Sequence, residues 1–286
     1  MTPAVVVLTI TLLLGLQPVT TDLYLPALST MQRELGATAG ATQMTLSALI
    51  ICFGLAQLVC GPLSDRFGRR PVLLRGMALY CMASVLGALA QEIDTLVAWR
   101  GVQGAAMDAA VPCGRSMVRG LFQPHEGARV MSRALGGLGV IALLSPALGG
   151  LLVQWLNWHA ALLATALFGA ITLEFIAGRF EETLVRRDPR ATQPVPLLNN
   201  WCSVLRHPSF RAWTALLCCT CGGIFTILAS SSFVFIDVLG RGVNGTVFPL
   251  TLGVGFFGVA VASVAWTLVQ RDGDASARPG PLPAPA

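Results

Sequence analysis

The sequence predicts an all-α integral membrane protein, and three observations carry that prediction. Of its 286 residues, 54% are hydrophobic and only 12% charged, whereas a soluble domain carries about 25% charged residues to coat its water-facing surface. The apolar residues fall in uncharged runs long enough to cross a bilayer, which takes about 20 residues at about 1.5 Å each. The cations stand in short clusters between those runs, and all 19 are Arg. A net charge of +5 could point to nucleic acid, but clusters placed between apolar runs set membrane orientation. The expected surroundings are therefore a lipid bilayer, with no nucleic-acid partner.

The runs map the expected crossings in order. Residues 2–21 form the first, continuing past Asp22 towards Leu28. Residues 35–64 form the second, and 76–91 the third, with Arg75 able to snorkel at its end. The fourth, about 95–118, contains Arg100 and Asp108. Residues 134–173 are uncharged over twice the length of a crossing; Asn157, flanked by Trp155 and Trp158 at interfacial depth, marks the hairpin between the fifth and sixth. Residues 212–236 and 242–270 supply the seventh and eighth.

Between the crossings, 181–211 is charged and carries Pro189, Pro194, Pro196 and Pro208, so it reads as a linker. Residues 271–286 are polar and then Pro-rich, and read as a disordered tail. The domain division is thus a six-helix bundle over 1–180, a linker over 181–211, a partial second bundle over 212–270 and the tail. With the first residue in the cytoplasm, the inward segments hold sixteen Arg residues and the outward ones only Arg33 and Arg241. This strong positive-inside bias puts both ends in the cytoplasm.

Eight cysteines raise the question of a disulfide framework or a metal site. Seven lie in or beside apolar stretches, and the cluster at Cys218, Cys219 and Cys221 lacks a second ligand pair at zinc-like spacing. They read as small apolar packing residues, and no metal is expected. His125, His159 and His207 are isolated. The N-terminus has no basic region and no small-residue cleavage site, so a removable leader is not expected.

The most specific signal is the segment from Gly61 through Pro62, Leu63, Ser64, Asp65, Arg66, Phe67, Gly68 and Arg69 to Arg70. A tight turn needs its glycines, and a carboxylate at the membrane edge needs a cation or a helix N-terminus beside it. The segment resembles the signature loop of the major facilitator superfamily, GxLaDrxGrkxxl, through Leu73 with Arg in place of Lys. Asp22 to Leu28 resembles the end of helix one in the Bcr/CflA branch of drug:proton antiporters, with Ser29 where a second Pro is usual. Arg100, Gln103 and Gly104 match the helix-four RxxQG motif. Pro146, Gly149 and Gly150 match the helix-five antiporter motif GPxxGG, with Ser145 replacing its first Gly. Glu182, Thr183 and Leu184 also suit this branch.

The resemblance implies a fold of two six-helix halves. The chain supplies one complete half and two helices of the second, so helices nine to twelve, and the helix-eleven partner of the signature loop, are missing from it. It implies a secondary transporter of the bacterial inner membrane, not an enzyme, driven by a proton gradient without a cofactor. The expected cargo is a small hydrophobic or cationic drug, as in bicyclomycin and chloramphenicol resistance. On this reading Asp22 carries the proton, Arg100 and Gln103 tune it, and Gly61, Asp65, Arg66, Gly68, Arg69 and Arg70 gate. Pro146, Gly149 and Gly150 shape helix five.

A residue-level argument reaches the same positions, because an ionisable group at membrane depth must face a partner or a water-filled cavity. For Arg100 that partner is Asp22 or, as a structural pair, Asp108; the role of Asp108 is otherwise open. Two rivals remain: a non-transporting remnant or regulatory partner of a related transporter, and a facilitator-type importer of a small metabolite. With a second half this short, the chain is expected to be incomplete as an exporter, or to pair with a copy of itself or a relative.

Overall fold

The computed structural model describes residues 3–110, 112–114, 122–180, 182 and 191–237. Its elements are α1 (Pro3–Thr21), a single 3-10 turn (Leu25–Ala27), α2 (Leu28–Glu34), α3 (Ala39–Phe67), α4 (Arg69–Ala88), α5 (Ile93–Met107), α6 (Pro124–Trp155), α7 (Trp158–Arg179), α8 (Pro194–Arg206) and α9 (Pro208–Asp237). Among the described residues, five stretches are long and apolar enough to cross a membrane: α1 continued through α2, then α3, α4, α6 and α7. The chain is a multi-pass membrane protein.

Helix α5 supplies the fourth expected crossing but stops at Met107 in a turn at Asp108–Ala109. Helix α9 covers the expected seventh crossing. The expected eighth crossing and the tail lie outside the described residues, as do 183–190 of the expected linker. Within the expected linker, 194–206 and 208–211 are helical. Pro194 and Pro208 are the first residues of α8 and α9, where the missing amide would have had no intrahelical acceptor.

The chain divides into two compact units, Met1–Leu197 and Leu198–Ala286. In the first, α3 packs chiefly on α5, α6 on α1, and α4 on both α5 and α7, while α7 also meets α1. Advancing each crossing by three turns this set of partners into itself: second-on-fourth becomes fifth-on-first, and third-on-sixth is unchanged. That exchange is the mark of two three-helix repeats. The two outer helices related by it, α3 and α6, each bury only 11% of their most apolar stretch, against 39–44% for α1, α4 and α7. Ile51 and Leu143 stand 57% and 79% exposed on them, as residues facing lipid or further membrane helices do.

Two apolar cores fill the interior. One gathers Leu13, Leu73, Met77, Tyr80, Met107 and Ile176. The other gathers Leu23, Tyr24, Met31, Leu96, Trp158 and Leu162. Of the two Trp residues expected at interfacial depth, Trp155 is exposed. Trp158 is instead buried, and its Nε1 donates to Glu34 Oε2 at 2.8 Å. The hairpin itself falls at Asn157, whose Oδ1 caps α7 by accepting from the Ala160 amide at 3.0 Å.

The helices approach closely where glycine removes the side chain. A Cβ on Gly104 of α5 would collide with the Leu49 carbonyl of α3, and one on Gly149 of α6 with the Leu23 carbonyl beyond α1. These are the two interfaces that the repeat exchange relates, and small residues let the backbones touch at both. Gly104→Val should force α3 from α5 and cost about 1–3 kcal/mol, seen as a lower unfolding midpoint in detergent. Gly54→Ala, where nothing lies within 4 Å of the added carbon, should not lower it.

Candidate functional site

The residues expected to tune a proton, Arg100 and Gln103, sit one turn apart on α5, and both are 1% exposed. They are the centre of a buried polar network. Arg100 Nη1 donates to Gln103 Oε1 at 2.7 Å and Nη2 to the Thr20 carbonyl at 3.1 Å. Its guanidinium carbon lies 4.0 Å above the Tyr24 ring. The Thr20 carbonyl belongs to the last turn of α1, where unpaired carbonyls concentrate the negative end of the helix dipole, and the ring face adds a cation–π attraction.

Gln103 passes the network on. Its Nε2 donates to Ser84 Oγ at 2.6 Å and to Thr165 Oγ1 at 3.4 Å. Those hydroxyls can accept because their own protons go to backbone: Ser84 to the Tyr80 carbonyl and Thr165 to the Leu162 carbonyl, each at 2.7 Å. The same logic makes Tyr80 the donor to Thr20 Oγ1 at 2.6 Å, since Thr20 donates to the Leu16 carbonyl at 2.5 Å. Tyr24 donates to Thr45 Oγ1 at 2.9 Å. The chain of bonds ties α1, α3, α4, α5 and α7 together and joins the two apolar cores through Tyr24 and Tyr80. The arginine forces the orientation of the Gln103 amide, because only its oxygen can accept from a guanidinium.

Two expected pairings are not made. Asp22 follows α1, is half-buried, and accepts from Thr21 Oγ1 at 2.8 Å. The bonds of Arg100 run to a carbonyl, an amide and a ring, and to neither Asp22 nor Asp108. Residue types alone do not reveal these partners, because a backbone carbonyl and a ring face carry no formal charge. Asp108 lies two turns further along α5, fully buried, with Gln57 and Cys60 of α3 facing it.

The signature segment is less of a loop than its glycines suggest. Gly61, Asp65 and Arg66 belong to the last turns of α3, and Arg69 and Arg70 open α4. The junction is the single residue Gly68, at φ +100°, a conformation that favours glycine. Glu182 holds it. The Glu182 carboxylate accepts from the Arg69 amide at 3.1 Å (Oε1) and the Arg70 amide at 3.3 Å (Oε2). A Cβ on Gly68 would lie 2.6 Å from Oε2. Arg70 also donates to the Ala177 carbonyl of α7 at 2.9 Å, and Arg66 to Thr192 Oγ1. Glu182 is therefore an anion at a helix N-terminus; residue order alone did not reveal that role, since the contact spans 113 positions. Asp65 is exposed.

In the helix-five motif, Gly149 makes the close contact with Leu23, while Pro146 is exposed and Gly150 half-buried. Helix α6 runs unbroken through all three. Ser145, in the place of the motif's first Gly, donates to the Ile141 carbonyl at 2.7 Å.

The sequence profile of the Major Facilitator Superfamily matches residues 10–273, and the chain belongs to that family. It is 29% identical to Multidrug resistance protein D of Escherichia coli, over 88% of this chain and 63% of that protein. It is 36% identical to a chloramphenicol resistance protein of Pseudomonas aeruginosa, over 63% of this chain and 44% of that protein. The chain spans less than two thirds of the length of the curated relatives it matches. The crystal structure of the human organic anion transporter MFSD10 (TETRAN) superposes with a TM-score of 0.54 at 23% identity, over 72% of this chain and 57% of that one, and shares the fold.

Two substitutions test this geometry. Gln103→Leu leaves Arg100 Nη1 without an acceptor and two hydroxyls without a donor, and should cost about 1–3 kcal/mol. Glu182→Ala uncaps α4 and should cost about 0.5–2 kcal/mol, as other helix-capping losses do. Both are read from unfolding midpoints in one detergent, with Glu182→Asp losing less than Glu182→Ala.

Proposed function

We propose that the chain acts in proton-coupled export of small, mostly apolar or cationic drugs across the inner membrane of a bacterium, with both of its ends in the cytoplasm. The observation that carries this reading is the Arg100 node. Burying an ionisable side chain at membrane depth costs a few kcal/mol even on lenient insertion scales, and Arg100 is held there by partners weaker than a carboxylate. A charge so held can change partners.

Asp22 lies two residues past Thr20, whose carbonyl Arg100 grips. On our reading Asp22 carries the proton. When Asp22 is ionised it competes for the guanidinium; when it is protonated Arg100 returns to the carbonyl and to Tyr24. Attraction between opposite charges makes the position of Arg100 decide when the proton is held. Gln103 sets where Arg100 rests. A cargo or a proton shifts the conformational balance only by binding the two states differently, and the node, tied into five helices, offers such a difference.

The gate is the α3–α4 junction, with Gly61, Asp65, Arg66, Gly68, Arg69 and Arg70, and its clasp by Glu182 is part of it. On this reading Pro146, Gly149 and Gly150 shape α6, with Gly149 holding it against the end of α1. The driving force is the proton gradient, with no cofactor. The distribution of Arg supports the orientation. The drug class rests on what the relatives' names say of those proteins, multidrug and chloramphenicol resistance.

In everted vesicles containing the full-length protein, Asp22→Asn should abolish gradient-driven accumulation of chloramphenicol or a cationic dye while leaving binding measurable. Arg100→Ala should do the same, and Arg100→Lys less. Unchanged transport against the gradient by Asp22→Asn overturns the assignment of the proton. For the orientation, reporter fusions after Gly36 and Asn157 should read as external, and those after Arg70 and Pro194 as cytoplasmic.

A further inference from the structure

We propose that Asp108 is a second proton-binding site, built into the packing of α3 on α5 and separate from the Arg100 node. Among the described residues it is the one acidic side chain that is fully buried, at 0% exposure. Neither of its carboxylate oxygens has a hydrogen-bond partner of good geometry among them. Arg100 cannot supply the missing charge. It lies eight positions back, about 12 Å along a helix rising about 1.5 Å per residue, and its bonds are made to Thr20, Gln103 and Tyr24.

The surroundings of Asp108 are specific. On α3, Gln57 and Cys60 face it. Beyond the turn that follows, Cys113 is buried with its thiol directed at the Arg69 carbonyl at 3.7 Å. Arg69 on α4, Glu182, Cys60 and Asp108 itself are the titratable groups that neighbour that thiol. Asp65 and Arg66, further along α3, are exposed. On the α4 side, Gly76 brings its backbone against the same turn: a Cβ there would lie 2.7 Å from Ala109 Cβ and 3.0 Å from the Ala106 carbonyl. Helix α4 thus packs against the turn that carries Asp108.

The backbone supplies an independent observation. The helical run of the fourth crossing is interrupted at Asp108–Ala109 and is helical again at Ala110. Irregular backbone at membrane depth is tolerated where protein buries it, and helix breaks of this kind hold coupling ions in membrane transporters.

A proton satisfies a buried carboxyl that has no cation beside it, and it adds no volume to the packing. Gln57 is suited to both states: on a small shift its amide NH2 would donate to the carboxylate, and after the amide rotates its oxygen would accept from the acid hydroxyl. Cys60 offers a weak donor and a weak acceptor in the same way. The reaction is carboxylate plus proton to carboxylic acid, with no other bond changed. Because Gln57 and Cys60 stand on α3 and the carboxyl on α5, loading the proton changes the bonding across the interface that Gly104 and Leu49 close. Proton binding at Asp108 stands whether or not Asp22 couples export, and its test does not require transport.

Infrared difference spectra of the purified chain in lipid, recorded between acid and alkaline pH, should show a carbonyl band of a protonated carboxyl. Asp108→Asn should lose that band, Asp108→Glu should keep it at a shifted position, and Asp22→Asn should retain it. Dicyclohexylcarbodiimide, an apolar reagent that attacks protonated carboxyls, should modify Asp108 of the unaltered protein in peptide maps, with a yield that falls as pH rises. This second measurement decides the matter should Asp108→Asn fail to fold. An infrared difference spectrum of folded Asp108→Asn identical to that of the unaltered protein, or peptide maps with no adduct at residue 108 at any pH, overturns the proposal.

Discussion

A guanidinium placed where no water reaches it is the constraint on which the rest of the bundle depends. Arg100 needs acceptors and negative potential, and the fold brings both to it. The last turn of α1 delivers a carbonyl, Tyr24 a ring face, and the neighbouring turn of α5 the Gln103 oxygen. Each of those groups then needs its own partner. Gln103 requires hydroxyls on α4 and α7, and Tyr24 one on α3. One buried charge thereby fixes the relative positions of five helices, and every hydroxyl in the path keeps a definite direction of donation. Arg100 Nε is left without a partner, but the other polar atoms named here are bonded, and because a half-satisfied network would be worse than an apolar core those bonds are themselves a reason for the helices to sit where they do.

Close packing makes the network reachable. Gly104 lets α5 lie on the α3 backbone, and Gly149 lets α6 lie on the chain just past α1. These contacts recur at interfaces related by exchanging the first three crossings with the next three. The same exchange leaves α3 and α6 as the two least buried helices of the bundle. A glycine in a membrane helix thus acts here as a spacing device, and the helix-five motif reads physically as a contact with Leu23 before it reads as anything about export.

The crossings were legible in the sequence because a bilayer imposes length: α3, α6 and α7 follow uncharged runs, and the hairpin between the last two falls at Asn157. The positions of Arg100 and Gln103 were legible for the same reason, since polar groups stand out against apolar runs. Their partners were not. Carbonyls and ring faces have no sequence signature, so a search for countercharges names Asp22 and Asp108 and overlooks Thr20 and Tyr24. The signature segment read as a loop because glycine and charge were taken together. The structure gives the turn to Gly68 alone and hands the rest to two helix ends. Glu182 escaped as an anchor because its partners lie more than a hundred residues earlier in the chain. Pro194 and Pro208 marked a linker without marking the helices they begin, since proline interrupts a helix interior yet begins a helix without loss.

The kind of partner that holds Arg100 bears on motion. A buried carboxylate would bind the guanidinium strongly, and separating the two would leave two uncompensated charges, at a cost of about 3–5 kcal/mol. A carbonyl at a helix end and an aromatic ring share the load in smaller portions. Moving Arg100 away from Thr20 strands no formal charge on α1, because the carbonyl is neutral. The energetic difference between two resting places for the guanidinium can therefore be small, and a single proton arriving on a nearby carboxyl is enough to reverse it. A network that is rigid in its bonds to Gln103, Ser84 and Thr165, and loose only where Arg100 meets α1, confines that reversal to one joint: the contact between the fourth crossing and the end of the first.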